Sequence, residues 1–209
     1  MAIRFWLTRP RMALARLRYW FWERNNPDKP WLCPGTVAFC ETHLSTAMNA
    51  IEFGSGRSTE WFAKRVGHLT SVEHDFQWHQ LVERKLADAK IANVTYRFVP
   101  LDHPEQAPEQ AEYSPTPRYV KVADDMPDKS LTFAIVDGHY RTNCVRHLVP
   151  KIADGGYLLV DDINMWPSPE SLPVPASWRV VDDSTNGVKR CIIWQADSRS
   201  DPSSRPSER

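Results

Sequence analysis

One short run limits what this chain can fold into. In Ile51-Glu52-Phe53-Gly54-Ser55-Gly56 an apolar strand breaks into a glycine-bearing bend just where a helical stretch begins. Glycines let the backbone turn and pass close to a ligand, and the helix that follows presents free N–H groups and the positive end of its dipole. Strand, bend and helix in that order open a βαβ unit, and the rest of the sequence continues the alternation. Asn49 to Phe53 reads as a strand, Ser58 to Val66 as a helix, Leu69 to Glu73 as a strand and Phe76 to Ala89 as a helix. Val94 to Val99, Leu131 to Val136 and Tyr157 to Val160 read as three further strands, with a helix over Thr142 to Ile152. Strands separated by helices imply right-handed crossovers and a parallel sheet covered on both faces. The end of the chain differs: two strand-like runs flank Ser184-Thr185-Asn186-Gly187, whose Asn-Gly is a hairpin signal. The expected class is therefore α/β, a doubly wound and mostly parallel sheet closed by an antiparallel C-terminal hairpin.

A chain of 209 residues with 42% apolar residues suits one such domain, expected over residues 31–195. Before it, a basic and aromatic helix and a turn-rich linker occupy residues 1–30; after it, residues 196–209 have the composition of a disordered tail. The first 24 residues hold six arginines, one glutamate and the cluster Tyr19-Trp20-Phe21-Trp22. Leu14, Leu17 and Phe21 share one side of that helix, with Arg16 and Glu23 roughly opposite. A helix of this kind can lie on an anionic membrane surface, or it can dock on its own domain or on a second subunit. Two proline-rich stretches, His103 to Arg118 and Trp166 to Pro175, lack helical periodicity and read as lids or binding loops.

Basic and acidic residues balance at 26 each, so no net field draws in nucleic acid, and a nucleic-acid partner is not expected. Cys33, Cys40, Cys144 and Cys191 form no C-x-x-C pair and read as reduced packing residues. No apolar run reaches the ~20 residues that cross a bilayer. A cytoplasmic protein, with membrane association through residues 1–24, is the expectation.

The bend itself narrows the ligand. A dinucleotide fingerprint needs a third glycine where this chain has Thr59, and Glu52 beside a pyrophosphate would repel it. An ammonium and hydroxyls fit better than a diphosphate. Glu73 ends the second strand in Ser71-Val72-Glu73-His74-Asp75, where a carboxylate can accept both hydroxyls of a ribose.

Glu52-x-Gly54-x-Gly56 followed by Val72-Glu73 resembles motifs I and II of class I S-adenosylmethionine (SAM)-dependent methyltransferases. More narrowly, Glu52-Phe53-Gly54-Ser55-Gly56-Arg57-Ser58-Thr59, Ser71-Val72-Glu73-His74-Asp75 and Val136-Asp137-Gly138-His139-Tyr140-Arg141 are similar to a bacterial group of these enzymes whose acceptors are largely undefined. The resemblance implies a Rossmann-like, seven-stranded sheet whose last strand runs antiparallel to the rest. It implies that Gly54, Ser55 and Gly56 touch the methionine part of SAM, with Glu52 near its amino group, Ser58 and Thr59 at the helix start, and Ser58 capping that helix. It also implies that Glu73, with His74 beside it, binds the ribose, and that Asp102 holds the adenine amino group.

A second constellation joins Asp137-Gly138-His139-Tyr140-Arg141 with Asp161-Asp162-Ile163-Asn164, at the ends of the fourth and fifth strands. Asp137, Asp161 and Asp162 are expected to hold magnesium, a hard cation that takes oxygen ligands. The layout is similar to that of catechol O-methyltransferases, with Asp162 in place of an amide. The metal would acidify an acceptor hydroxyl and His139 would take its proton. In the alternative, Asp137 holds the cofactor's amino group and Asp161 and Asp162 cap the following loop. Arg57 and Arg141 are candidates to bind an anionic acceptor. The expected activity is methyl transfer from SAM to an oxygen, or to a nitrogen, of a small-molecule or cell-surface-related acceptor. Its rivals are a nucleotide-dependent oxidoreductase and a non-catalytic scaffold docked to membrane enzymes.

Overall fold

Both faces of the central strand are buried, and this sets the layering of the molecule. In β1 (Asn49–Phe53), Ile51 and Phe53 enter one core and Ala50 the opposite one, all without solvent exposure. The computed structural model describes residues 10–104, 110–164 and 169–198. Around β1 it arranges β2 (His68–Glu73), β3 (Val94–Phe98), β4 (Leu131–Val136), β5 (Ile152–Val160), β6 (Arg179–Thr185) and β7 (Arg190–Gln195) into one sheet of order β3-β2-β1-β4-β5-β7-β6. The first five strands pair in parallel, whereas β7 runs antiparallel to both β5 and β6. The doubly wound sheet with its C-terminal hairpin is the one expected.

Six described α-helices carry the crossovers and the flanks: α1 (Pro10–Asn25), α2 (Pro34–His43), α3 (Arg57–Ala63), α4 (Phe76–Asp88), α5 (Arg118–Lys121) and α6 (Arg141–Leu148), with a 3-10 turn over Val122–Asp125 completing α5. Val37 and Cys40 of α2 and Trp61 and Phe62 of α3 pack on the face of Phe133, Ile135 and Leu159. Tyr119 and Val120 of α5 and Cys144, Val145 and Leu148 of α6 pack on the face of Ala134, Val136, Leu158 and Val160. Successive residues of β4 and β5 thus serve opposite layers, the period of two that a doubly covered sheet requires. The four cysteines are free and buried.

Local readings shift in three places. The helix expected over Thr142 to Ile152 ends at Leu148, because Pro150 has no N–H to continue it; a 3-10 turn over Val149–Lys151 follows, and β5 starts at Ile152 rather than at Tyr157. The stretch ending at Arg118 leads into α5, whose four residues are too few to show periodicity although Tyr119 and Val120 are fully buried. Ala196, assigned from sequence to the tail, is buried, and its N–H donates to the Gly156 carbonyl at 2.8 Å. Residues 1–9, 105–109, 165–168 and 199–209, which include parts of the expected membrane segment, both proline-rich loops and the tail, lie outside the described residues.

Helix α1 packs on its own domain along one side. Tyr19 is buried, Trp22 joins the core beneath, and Ala15 lies over Gly187 in the β6–β7 turn. A Cβ at Gly187 would come within 2.1 Å of the Ala15 Cβ, and the backbone there has φ +87°, so the hairpin turn needs glycine twice over. Among the described residues no helix is long and apolar enough to cross a membrane.

Candidate functional site

A cleft of about 750 Å³ opens at the carboxyl ends of the parallel strands, within the size range of small-molecule sites. Its walls bring together Gly54, Ser55, Glu73, His74, Asp137, His139 and Asp162, all singled out in the sequence. Gly54 makes this convergence possible. Its φ is +93°, and a Cβ there would lie 2.7 Å from the Asp137 carbonyl, so only glycine lets the end of β1 lie against the end of β4. The Gly54 N–H donates to Val72 O at 2.9 Å and the Asp137 N–H to Phe53 O at 2.8 Å, which ties the three strand ends together.

On the β1–β2 side, Glu73 is the organising group. It is 2% exposed and sits directly against the bend: Oε2 accepts the Ser55 N–H at 3.0 Å and the Ser55 hydroxyl at 2.6 Å. Oε1 accepts the N–H groups of His74 and Asp75 at 2.7 and 2.9 Å. Burial pushes its carboxyl up, but hydrogen bonds from His74, Ser55 and Asp75 outweigh that and hold it at about 2. The Ser55 hydroxyl also meets the Tyr96 hydroxyl at 2.7 Å, and Trp78 donates its indole N–H to Ser55 O at 2.8 Å. Asp75 fixes the start of α4 by accepting the Trp78 N–H, so this wall is held by a helix cap as well as by the strands.

Glu52 does not line the cleft. Its side chain points to the α3 face, fully buried, and accepts the hydroxyls of Ser58, Thr59 and Ser71 at 2.6, 2.7 and 2.7 Å. Desolvation raises its carboxyl to about 7 despite those three bonds. Ser58 therefore serves Glu52 rather than capping the helix. The Thr59 hydroxyl instead accepts the Gly56 N–H at 2.9 Å, and through Glu52 these residues brace the bend from beneath. Gly56 lies on the neighbouring surface with extended backbone, and a Cβ there would meet only Ser58 and Trp78 atoms near 4 Å. Asp102 also stays outside: it is an exposed loop residue whose carboxylate takes the Arg118 N–H and guanidinium at 2.7 and 2.6 Å.

On the β4–β5 side three carboxylates crowd together. Ligand atoms of Asp137, Asp161 and Asp162 lie within 4.8 Å of one another. Burial, then the charge of Asp161, pushes the Asp137 carboxyl well up; burial, then Asp162, raises that of Asp161. Two cations oppose them. Lys189 Nζ is 2.7 Å from Asp162 Oδ2 and 3.8 Å from Asp161 Oδ2, and an Arg141 guanidinium nitrogen is 3.8 Å from Asp137 Oδ1. Cys191 donates its thiol to Asp161 Oδ1. Asp161 Oδ2 and Asp162 Oδ1 are buried and accept no hydrogen bond from any described residue. The His139 ring borders this cluster and meets the His74 ring edge to face, with centroids 4.5 Å apart. Arg141 is in the cleft, whereas Arg57 turns away to Pro27 and the Trp31 ring.

Sequence reasoning passed over Trp78, Gln77 and Leu81, which line the cleft from α4, and Lys189, which answers the acids from just before β7. The period of α4 marks an apolar face for Trp78 and Leu81; nothing local marks Lys189, whose partner is 27 residues away.

No family model and no curated protein matches this sequence. Solved structures do match its shape. A methyltransferase from Geobacter sulfurreducens is 10% identical with a TM-score of 0.59, over 90% of this chain and 89% of that one. SMU.1697c, a candidate methyltransferase from Streptococcus mutans in complex with SAH, is 10% identical with a TM-score of 0.54, over 76% of this chain and 93% of that one. A precorrin 8w decarboxylase from Methanobacterium thermoautotrophicum is 15% identical with a TM-score of 0.52, over 77% of this chain and 88% of that one. At such identities the likeness is one of fold: this chain has the Rossmann-like α/β architecture that these proteins share. Activity has to be argued from the cleft.

Proposed function

We propose that this protein is a class I SAM-dependent methyltransferase acting on a hydroxyl oxygen, or in second place a nitrogen, of a small-molecule or cell-surface-related acceptor. One observation carries the reading. The bend Gly54-Ser55-Gly56 leaves the central strand against the ionised, buried carboxylate of Glu73, with Glu73 Oε2 3.0 Å from the Ser55 nitrogen at the wall of a cleft. The donor set suits an adenosyl ligand. Glu73 offers acceptor oxygens for a ribose diol once the Ser55 and Tyr96 hydroxyls reorient, and Trp78 offers an aromatic wall nearby.

When bound, SAM would supply a sulfonium-activated methyl, open to in-line attack by an acceptor oxygen as the C–S bond breaks and neutral S-adenosylhomocysteine leaves. The chain's own residues then have separable tasks. Glu73 and the bend hold the cofactor end, while Asp137 and Arg141 border the acceptor end. His139, on the cleft wall between them, takes the acceptor proton on a ring nitrogen. The two buried oxygens of Asp161 and Asp162 that lack donors among the described residues, in a trio of acids, fit a divalent cation better than a closed ion-pair network. Asp137, Asp161 and Asp162 would hold magnesium there, which would lower the pKa of the acceptor hydroxyl.

Isothermal titration with SAM and with its demethylated product tests the cofactor reading. Saturable binding of both is expected, and absence of binding by either at millimolar concentration contradicts it. Metal dependence separates from it: excess chelator is expected to stop turnover while cofactor binding persists, and undiminished turnover in chelator would reject the metal.

A further inference from the structure

Helix α1 has two apolar sides, and the described residues cover only one of them. Tyr19, Trp22 and Ala15 face the domain, whereas Leu14, Leu17, Phe21 and Trp20 are 50%, 51%, 53% and 41% exposed. On a helical wheel Leu14, Leu17 and Phe21 form one stripe turned away from Tyr19. Arg18 and Arg11 border it on one edge and Arg24 on the other, all exposed. Across the helix four arginines stand against one glutamate, in a chain whose total charge is zero. Packing on the domain explains the inner side. It leaves an apolar stripe between rows of guanidinium groups, which is costly in water unless something covers it.

We infer that this outer side of α1 is a seat for an anionic lipid surface, on which the helix lies flat with Leu14, Leu17 and Phe21 inserted and the arginines at phosphate depth. The charge pattern selects this occupant. An apolar stripe alone would suit a protein groove or a second copy, but flanking cations with Trp20 and Phe21 beside them match the headgroup boundary, where aromatic rings settle and arginine is attracted to phosphate.

The position of α1 extends the inference to the substrate, a step that rests on the methyltransferase reading above. Arg16 and Tyr19 share a surface hollow with Val188 and Lys189, and Lys189 reaches Asp162 on the cleft wall at 2.7 Å. Helix α1 thus bears the seat on its outer side and, on its inner side, borders the residue that answers the acidic end of the cleft. An acceptor held at the bilayer surface, such as a lipid-linked hydroxyl compound, would be presented there.

Co-sedimentation of the full-length protein with vesicles of phosphatidylcholine alone, or of phosphatidylcholine mixed with phosphatidylserine, tests the seat. Binding is expected to the mixed vesicles only and to weaken as salt rises, with each arginine changed to glutamine lowering partition about fivefold. The triple variant Leu14→Ser, Leu17→Ser, Phe21→Ser, altered only at exposed positions, is expected to stay in the supernatant while still binding SAM. No binding of the wild type to anionic vesicles, equal binding of the triple variant, or a wild-type dimer that the triple variant dissolves would each overturn the inference. Cofactor titration of the same samples keeps the two readings apart, since loss of SAM binding touches only the enzyme assignment.

Discussion

The two walls of the cleft hold carboxylates in opposite conditions. On the β1–β2 wall Glu73 is buried yet fully answered, its oxygens taken by three N–H groups and a hydroxyl, and its carboxyl stays at about 2. On the β4–β5 wall burial and a neighbouring carboxylate, Asp161 for Asp137 and Asp162 for Asp161, push both acids up, and two oxygens of the acid cluster have no donor among the described residues. One wall is organised before any ligand arrives; the other carries unresolved charge that a cation, a proton or a substrate would relieve. Such a division suits an enzyme that binds a common cofactor on one side and does chemistry on the other.

The largest effect should fall on the charged wall. His139→Gln is expected to lower kcat by on the order of 10²–10⁴, leaving cofactor affinity unchanged, because a proton acceptor is lost without disturbing Glu73. A variant with wild-type turnover would remove His139 as the base. Next, Glu73→Gln should weaken SAM binding about a hundredfold, since one acceptor oxygen becomes an NH₂ facing the Ser55 N–H or the His74 and Asp75 N–H pair. Titration calorimetry reads this directly, and unchanged affinity would break the contrast between the walls.

The pH dependence of stability follows from the signs. Glu73, lowered from 4.5 to about 2, contributes stability that is complete above pH 4.5 and is lost as pH falls toward 2. Glu52, raised from 4.5 to about 7, acts the other way: the folded form keeps its proton while the unfolded chain has lost it, so stability declines as pH rises from 4.5 to about 7. Urea denaturation across that range should show the decline, with Glu52→Gln removing its share, on the order of a few kcal/mol at most. A variant with the wild-type slope would show that Glu52 ionises normally.

Smaller still, Asp161→Asn should raise stability by about 1 kcal/mol by relieving like charge while it impairs turnover. A loss of stability together with intact turnover would reverse the assignment of that wall. The least effect is expected at Gly56, where Gly56→Ala should change stability by less than about 0.5 kcal/mol, because the backbone is extended and a Cβ has room. Any fall in SAM affinity there measures how closely the ligand approaches.

Much of this was legible in the sequence, because the fold writes itself in local patterns. The bounds of β1 and β4 follow from apolar runs ended by Gly54 and Asp137, and the hairpin from Asn186-Gly187. Gly54 and Glu73 were legible for the same reason: each stands at a strand end, and strand ends in this topology converge. What escaped was decided by direction or by distance. Glu52 is next to the bend, but the two-residue period of β1 sends its side chain to the α3 face, where three hydroxyls wait. Asp102 follows β3 as expected, yet Arg118, brought alongside by the proline-rich loop, takes its carboxylate. Lys189 belongs to the site only because β7 pairs with β5, a contact no local pattern announces.

The most direct measurement is a crystal structure with S-adenosylhomocysteine. The account predicts its ribose hydroxyls on the Glu73 carboxylate and its amino-acid end over Gly54-Ser55-Gly56. A ligand bound elsewhere, or a Glu73 that keeps all its present hydrogen bonds while the ribose lies out of reach, would contradict it.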